Sequence, residues 1–198
     1  VKMILDVSVR FAFSRLRLSD SLDQGRTTLF HEAALGLGAS VNVDYRLIVN
    51  LNSPIGEIKS KFRKSYKPLI GKGLRLWDTV VLTSENFDKS IWNEFKNLHY
   101  ICSGCKLTRS EASWDYQAQS IKIDNSFLCI IRDGNSKILG GGYFLKTTNE
   151  AVYAVGAYDR GLTKYPLGHV VQWLAINEMK RLNISKYILG MRSFPGVN

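Results

Sequence analysis

The sequence predicts an α/β (α+β) domain with a mixed, mainly antiparallel sheet flanked by helices, on three observations. Residues 127–132, 138–146 and 151–158 are β-type runs joined by Asp133-Gly134-Asn135 and Thr147-Thr148-Asn149-Glu150, connections tight enough for antiparallel hairpins. Residues 169–182 carry apolar side chains on more than one stripe, the pattern of a helix buried against a sheet, and residues 186–189 then form a strand, so this last pair is joined by a crossover and runs parallel. The 198 residues, 45% hydrophobic and 22% charged, suffice for one good core and little more, so a single domain over residues 1–198 is expected.

Upstream, residues 1–42 are the least readable. Residues 4–18 mix alternating and irregular apolar positions, read as a strand, and residues 27–37 follow a helical pattern that Gly36 and Gly38 break. Residues 45–51 are a β-type run ending in Asn52-Ser53-Pro54, where Ser53 can cap a helix and Pro54 occupy its first turn. Ile55, Ile58, Phe62, Tyr66 and Leu69 then step by three and four along a helix that Pro68 should bend or end. Residues 77–82 read as a strand, and Asn86 as the cap of a helix whose inner stripe is Phe87, Ile91, Phe95 and Leu98. Thr108-Arg109-Ser110-Glu111 matches a capping box that opens a helix through Trp114 and Gln119. Gly140, Gly141 and Gly142 inside one strand point to a bulge, a close backbone approach or a packing constraint.

The formal charge is +10, and residues 57–75 hold +6 of it, with seven cations (Lys59, Lys61, Arg63, Lys64, Lys67, Lys72 and Arg75) against Glu57. Such a cluster concentrates anions, so phosphorylated small molecules, RNA and acidic glycan precursors are all candidate ligands, and a solvated helix face is the plain alternative. No apolar run approaches a membrane span, and no secretion-signal pattern opens the chain. Three cysteines, Cys102, Cys105 and Cys129, are too few and too odd in number for a disulfide scaffold, so a reducing, cytoplasmic setting is expected. Cys102-Ser103-Gly104-Cys105 has the spacing of a metal or redox pair, but no second paired spacing among Cys129, His31, His99 and His169 completes a zinc site, so no metal is expected.

The order meander, loop, buried helix, parallel strand is that of the central GNAT acyltransferase fold. Arg63-Lys64-Ser65-Tyr66-Lys67, Ser103-Gly104 with Thr108-Arg109, Ser113-Trp114-Asp115-x-Gln117, and residues 155–160 through Pro166-Leu167-Gly168-His169 together resemble the FemAB-like branch of that superfamily, over about residues 45–190. FemAB-like proteins attach amino acids or other acyl groups to amines, and the resemblance implies such an acyltransferase here, with the donor (aminoacyl-tRNA, acyl thioester or acyl-CoA) as co-substrate and no tightly bound cofactor. The acceptor it implies is an amine of a peptidoglycan, cell-envelope or related glycan precursor. Two departures narrow this. tRNA-dependent Fem ligases have two GNAT-like modules and this chain has room for about one, while residues 159–168 contain only Gly161 and Gly168 where CoA-dependent GNAT enzymes have a glycine-rich pyrophosphate loop. The family also continues into another strand where this chain stops at Asn198, consistent with a truncated gene.

Acyl transfer to an amine needs a neutral nucleophile, donors aimed at the oxyanion and a holder for the donor's anionic tail. Residues 159–168 lead to a helix N-terminus that favours phosphate, with Arg160, Lys164 and Gly168 as donor-binding candidates. If strand 151–158 diverges from its neighbour at 186–189, its freed N–H groups can bind the acyl carbonyl. Asp159 and His169 are candidate bases; a turn residue and an ordinary first-turn helix residue are the competing readings. Lys61, Arg63 and Lys64 can bind an anion, and Trp114, Asp115 and Gln117 can line an acceptor cleft, with a core tryptophan and solvated Asp and Gln as the plain alternative; Tyr158 and Tyr165 can orient substrate there or serve packing. Two rival functions stand beside direct-attack acyl transfer: a non-catalytic RNA-binding or scaffold domain using the basic helix, and CoA-dependent N-acetyltransfer.

Overall fold

The computed structural model describes residues 27–40 and 44–193 of a chain that divides into two compact units, Val1–Asp44 with Ser193–Asn198, and Tyr45–Arg192. In the first unit, α1 (Leu29–Gly36) begins at a reciprocal cap: the Thr28 hydroxyl accepts from the His31 N–H, and His31 Nδ1 accepts from the Thr28 N–H. Gly38 follows at φ +81°, where glycine avoids the Cβ clash, so the helix stops where the sequence predicts. The strand read in residues 4–18 lies outside the described residues.

The sheet has six strands in the order β1-β6-β5-β4-β3-β2: β1 (Asp44–Asn50), β2 (Asp78–Leu82), β3 (Ser126–Arg132), β4 (Ile138–Lys146), β5 (Glu150–Tyr158) and β6 (Lys186–Ser193). β2 to β5 pair antiparallel in sequence, and β5 pairs parallel with β6 after the crossover through α6 (Leu167–Arg181), giving the mixed, mainly antiparallel sheet that the sequence predicts. On one face lie α2 (Ile55–Ser60), α3 (Tyr66–Leu76) and α6, packed through Ile58, Ile70, Val170, Val171 and Met179 onto Phe127, Cys129, Ile131 and Phe144. On the other lie α4 (Lys89–Cys102) and α5 (Glu111–Lys122), packed through Trp92, Phe95, Trp114 and Ile121 onto Leu128, Ile130, Tyr143 and Val155. β3 is therefore buried on both faces, which is why it reads as a continuous apolar run.

The glycine run in β4 is a close approach. Cβ atoms at Gly140, Gly141 and Gly142 would meet the Tyr158 ring at 2.8 Å, Ile130 Cγ2 at 2.9 Å and Val171 Cγ1 at 2.9 Å, so the strand is narrowed on both faces to admit Tyr158, α4 and α6. The register shifts lie beside the run, between Ile131 and Arg132 and between Tyr143 and Phe144.

Four predicted boundaries are corrected. Pro54, not Ser53, stands at the start of α2, which has no side-chain cap. The basic segment is two helices, α2 and α3, separated at residues 61–65, with Pro68 inside the first turn of α3. Its ring would clash with the carbonyl four residues back, so the preceding turn cannot be helical. Asn86 fastens the turn before α4, accepting from the Thr83 N–H at 2.7 Å and donating to the Val81 carbonyl at 2.9 Å; the cap is Asp88, whose carboxylate accepts from the N–H groups of Ser90 and Ile91. α5 is capped by Ser110, not Thr108, through the Ser113 N–H.

Candidate active site

The sheet opens between β5 and β6, two strands in from its β1 edge. β5 pairs with β6 only through Glu150, Ala151 and Val152 against Lys186, Tyr187 and Ile188, so from Tyr153 to its end β5 has no ladder partner on that side among the described residues. A bulge contributes to the divergence. Tyr143 and Phe144 oppose Val155 and Tyr153, which leaves Ala154 as an extra residue on β5 and reverses the alternation beyond it. Tyr153 and Tyr158, five residues apart, thereby share a face, with hydroxyls hydrogen-bonded at 3.0 Å. Below the opening, the Tyr187 hydroxyl donates to Gln172 of α6. Burial raises all three phenols above the ordinary tyrosine range and keeps them neutral.

The free edge has a definite polarity. The Asp159 N–H donates to the Leu139 carbonyl at 2.8 Å, continuing the ladder with β4, so strand alternation turns the N–H and C=O groups of Tyr158 and Gly156 toward the open side. The Tyr158 carbonyl is taken by the Cys102 thiol at 2.9 Å, which leaves the two N–H groups as the available donors.

Beyond β5 the chain turns sharply. Asp159 accepts from the Gly161 N–H at 2.8 Å, a 3₁₀ turn spans Arg160–Leu162, and α6 starts after Pro166 with no side-chain cap. The first N–H groups of this 15-residue helix therefore lack a side-chain partner, and they stand at the rim of a cleft of about 830 Å³. The free strand edge (Gly156 to Tyr158) and the turn line one part of it, and His99, Cys102, Thr108 and Arg109 from the α4–α5 end line the rest. A smaller cavity of about 500 Å³ shares His99, Thr108 and Arg109 with it and reaches Trp114.

Of the residues singled out from the sequence, the structure brings Tyr158, Asp159, Arg160 and Gly168 together on the cleft. Lys164 is exposed on the adjoining loop and is not among the lining residues. Asp159 is engaged in the turn and stands 3.8 Å from Lys137 Nζ. His169 lies outside the lining, its ring edge-on to Tyr66 at 4.4 Å. Trp114 is core, as the competing reading had it, while also flooring the smaller cavity; Asp115 is exposed, and Gln117 is buried with Oε1 unpartnered. Lys61 pairs with Glu57 at 2.7 Å, and Arg63 and Lys64 are exposed between α2 and α3.

The sequence reading gave no role to His99 and Cys102 as lining residues, and Thr108 and Arg109 entered it only as a motif. The available signal was helical spacing: Phe95, His99 and Cys102 step by four and three, so the cleft residues extend the core-facing stripe of α4 by one turn. The cysteine pair itself is split, Cys102 half-buried and Cys105 exposed, and among the described residues no three His, Cys, Asp or Glu side chains converge as metal ligands.

No protein-family profile and no curated protein sequence matches the chain. Solved structures do. FemX superimposes with a TM-score of 0.61 at 10% identity, over 76% of this chain and 53% of that one. L-PGS from Bacillus licheniformis gives 0.58 at 14%, over 78% and 50%. The C-terminal domain of a protein described as a lysylphosphatidylglycerol synthetase, from Agrobacterium fabrum, gives 0.55 at 15%, over 82% and 51%. The chain shares the fold of FemX and of these two synthetase structures. It spans about half the length of these structures. Within this fold, the opening between β5 and β6 and the start of α6 meet at one cleft, so outward-facing strand N–H groups and a helix N-terminus without a side-chain cap stand side by side. Among the described residues no helix is long and apolar enough to cross a membrane.

Proposed function

We propose that this chain is a transferase that moves an acyl or aminoacyl group from an activated, anionic donor to an amine by direct attack, without a covalent enzyme intermediate. One observation carries the reading: the unpaired edge of β5, with the Gly156 and Tyr158 N–H groups turned outward, ends beside the uncapped N-terminus of α6. The carbonyl oxygen of the donor accepts from the strand edge and its negative charge grows there as the amine adds, while the donor's phosphate or other anionic tail lies against Gly168, Arg160 and the helix end. The FemX and lysylphosphatidylglycerol synthetase structures support the class through their shared fold.

The basic segment supports a large anionic donor. α3 packs on α6 where a Cβ at Gly73 would stand 2.3 Å from Val170 Cγ2, and Lys72 Nζ lies 6.0 Å from the centre of the Tyr165 ring at the rim of the cleft. Lys72 thus brings one cation of the basic segment to the rim formed by residues 160–168. The acceptor in this reading is the amine of a cell-envelope or glycan precursor and the setting is cytoplasmic.

The test is turnover with acyl-CoA, acyl carrier protein thioesters and aminoacyl-tRNA against a panel of amines. Arg160→Ala with Lys164→Ala is expected to raise the donor KM about tenfold, equivalent to ~1.4 kcal/mol, with kcat held within about twofold. Reversing Lys61, Arg63 and Lys64 to glutamate should raise the KM for aminoacyl-tRNA and leave that for acyl-CoA unchanged. An RNA-binding module would instead bind RNA with a steep salt dependence and turn nothing over. Unchanged donor KM in both variants would remove these surfaces from the donor site.

A further inference from the structure

We propose that His99 takes the proton from the acceptor amine, which reaches it through the smaller cavity beside the cleft. The inference rests on the acyl-transfer reading and adds to it the group that makes the amine a competent nucleophile. Of the three histidines in the chain, His31 is engaged in the α1 cap and His169 meets the Tyr66 ring edge-on, outside the cleft lining. His99 lines both cavities.

The geometry holds its ring in place without using its nitrogens. His99 sits in the last turn of α4, edge-on to the buried Trp114 ring at 5.1 Å, and the Arg109 guanidinium lies 6.0 Å from the centre of the same ring. Neither ring nitrogen has a hydrogen-bond partner among the described residues. The charged and titratable groups around the two cavities are Lys96, Tyr100 and Cys102 from α4, Lys106, Arg109 and Glu111 from the following loop and α5, Tyr158 at the end of β5, and Asp159, Arg160 and Tyr165 from the turn and loop after it. Lys96 is paired with Glu111. Partial burial, with Arg109 alongside, lowers the His99 imidazole below its ordinary value, so it is neutral near pH 7 and has a lone pair to offer.

The step balances. The amine nitrogen attacks the carbonyl carbon, a C–N bond forms, and the carbonyl electron pair moves onto the oxygen held by the β5 edge. His99 accepts the proton leaving the nitrogen. Collapse breaks the C–O bond of an ester donor or the C–S bond of a thioester, and the imidazolium returns the proton to the departing oxygen or sulfur.

The experiment compares wild type, His99→Gln and His99→Ala in steady-state transfer from pH 5 to 9, with the donor and amine that wild type uses. Gln keeps much of the packing on Trp114 and cannot exchange the proton. Expected are a fall in kcat of about 100-fold in both variants with donor KM little changed, loss of the acidic limb that wild type shows below the ordinary imidazole range, and partial rescue of His99→Ala by added imidazole. Unaltered denaturation midpoints separate this from unfolding. A loss under about threefold, or a variant that keeps the acidic limb and ignores imidazole, overturns the assignment while leaving acyl transfer standing. Wild type inert toward every donor and amine overturns acyl transfer, and His99 as its base with it.

Discussion

Gly141→Val is expected to destabilise the Tyr45–Arg192 unit by about 3 kcal/mol, at the upper end of the usual range for overpacking a close-packed interior. A Cβ at this position would stand 2.9 Å from Ile130 Cγ2, 3.0 Å from the Cys129 carbonyl oxygen and 3.0 Å from the Phe95 ring. A flexible side chain in one of those places could rotate away. Here one neighbour is the backbone of β3, and the other two belong to side chains with 0% exposure, so the added carbons must part β4 from β3 or lift α4 off the sheet. Gly134→Val is the control, because a Cβ there meets nothing within 4 Å. The measurement is the urea midpoint at constant m, for which the Gly141 variant should lose stability and the Gly134 variant change little. Equal midpoints would mean that the two layers do not need this approach.

The same contact explains what could be read in advance and what could not. The hairpins, α6 and the terminal parallel strand announce themselves through periodicity and turn chemistry, which are local, and the loop after β5 follows from its place between them. The site residues contributed by α4 have no local signature. Phe95 settles over Gly141, which carries the last turn of α4 to the cleft that Tyr158 lines, and the Cys102–Tyr158 bond joins positions 56 residues apart. Spacing places those side chains on the core-facing stripe but cannot say which part of the sheet the stripe meets. The basic helix fails for a different reason. Ile55, Ile58, Phe62, Tyr66 and Leu69 keep helical steps across the break at residues 61–65, so the apolar pattern survives while the backbone hydrogen bonds do not. Pro68 was the better guide, because a proline fits the first turn of a new helix far more easily than the interior of a continuous one.

Tyr158→Pro should cost more in catalysis than any side-chain change at the same position. Proline removes the N–H that faces the opening, and since Tyr158 opposes Gly140 where the ladder with β4 makes no hydrogen bond, no strand bond is lost with it. Tyr158→Ala supplies the reference. It too loses the phenol and its bond to Tyr153, and it keeps the N–H. The ratio of the two kcat values therefore isolates one backbone donor, and a donor aimed at a developing oxyanion contributes about 10²–10³ in rate, or ~3–4 kcal/mol. The proline variant is expected to fall below the alanine variant by that factor with similar donor KM, because the interaction strengthens only as charge moves onto the oxygen. If instead both variants turn over equally, with equal denaturation midpoints, the Tyr158 N–H does not hold the carbonyl, and the opening between β5 and β6 would have to serve acyl transfer in some other way.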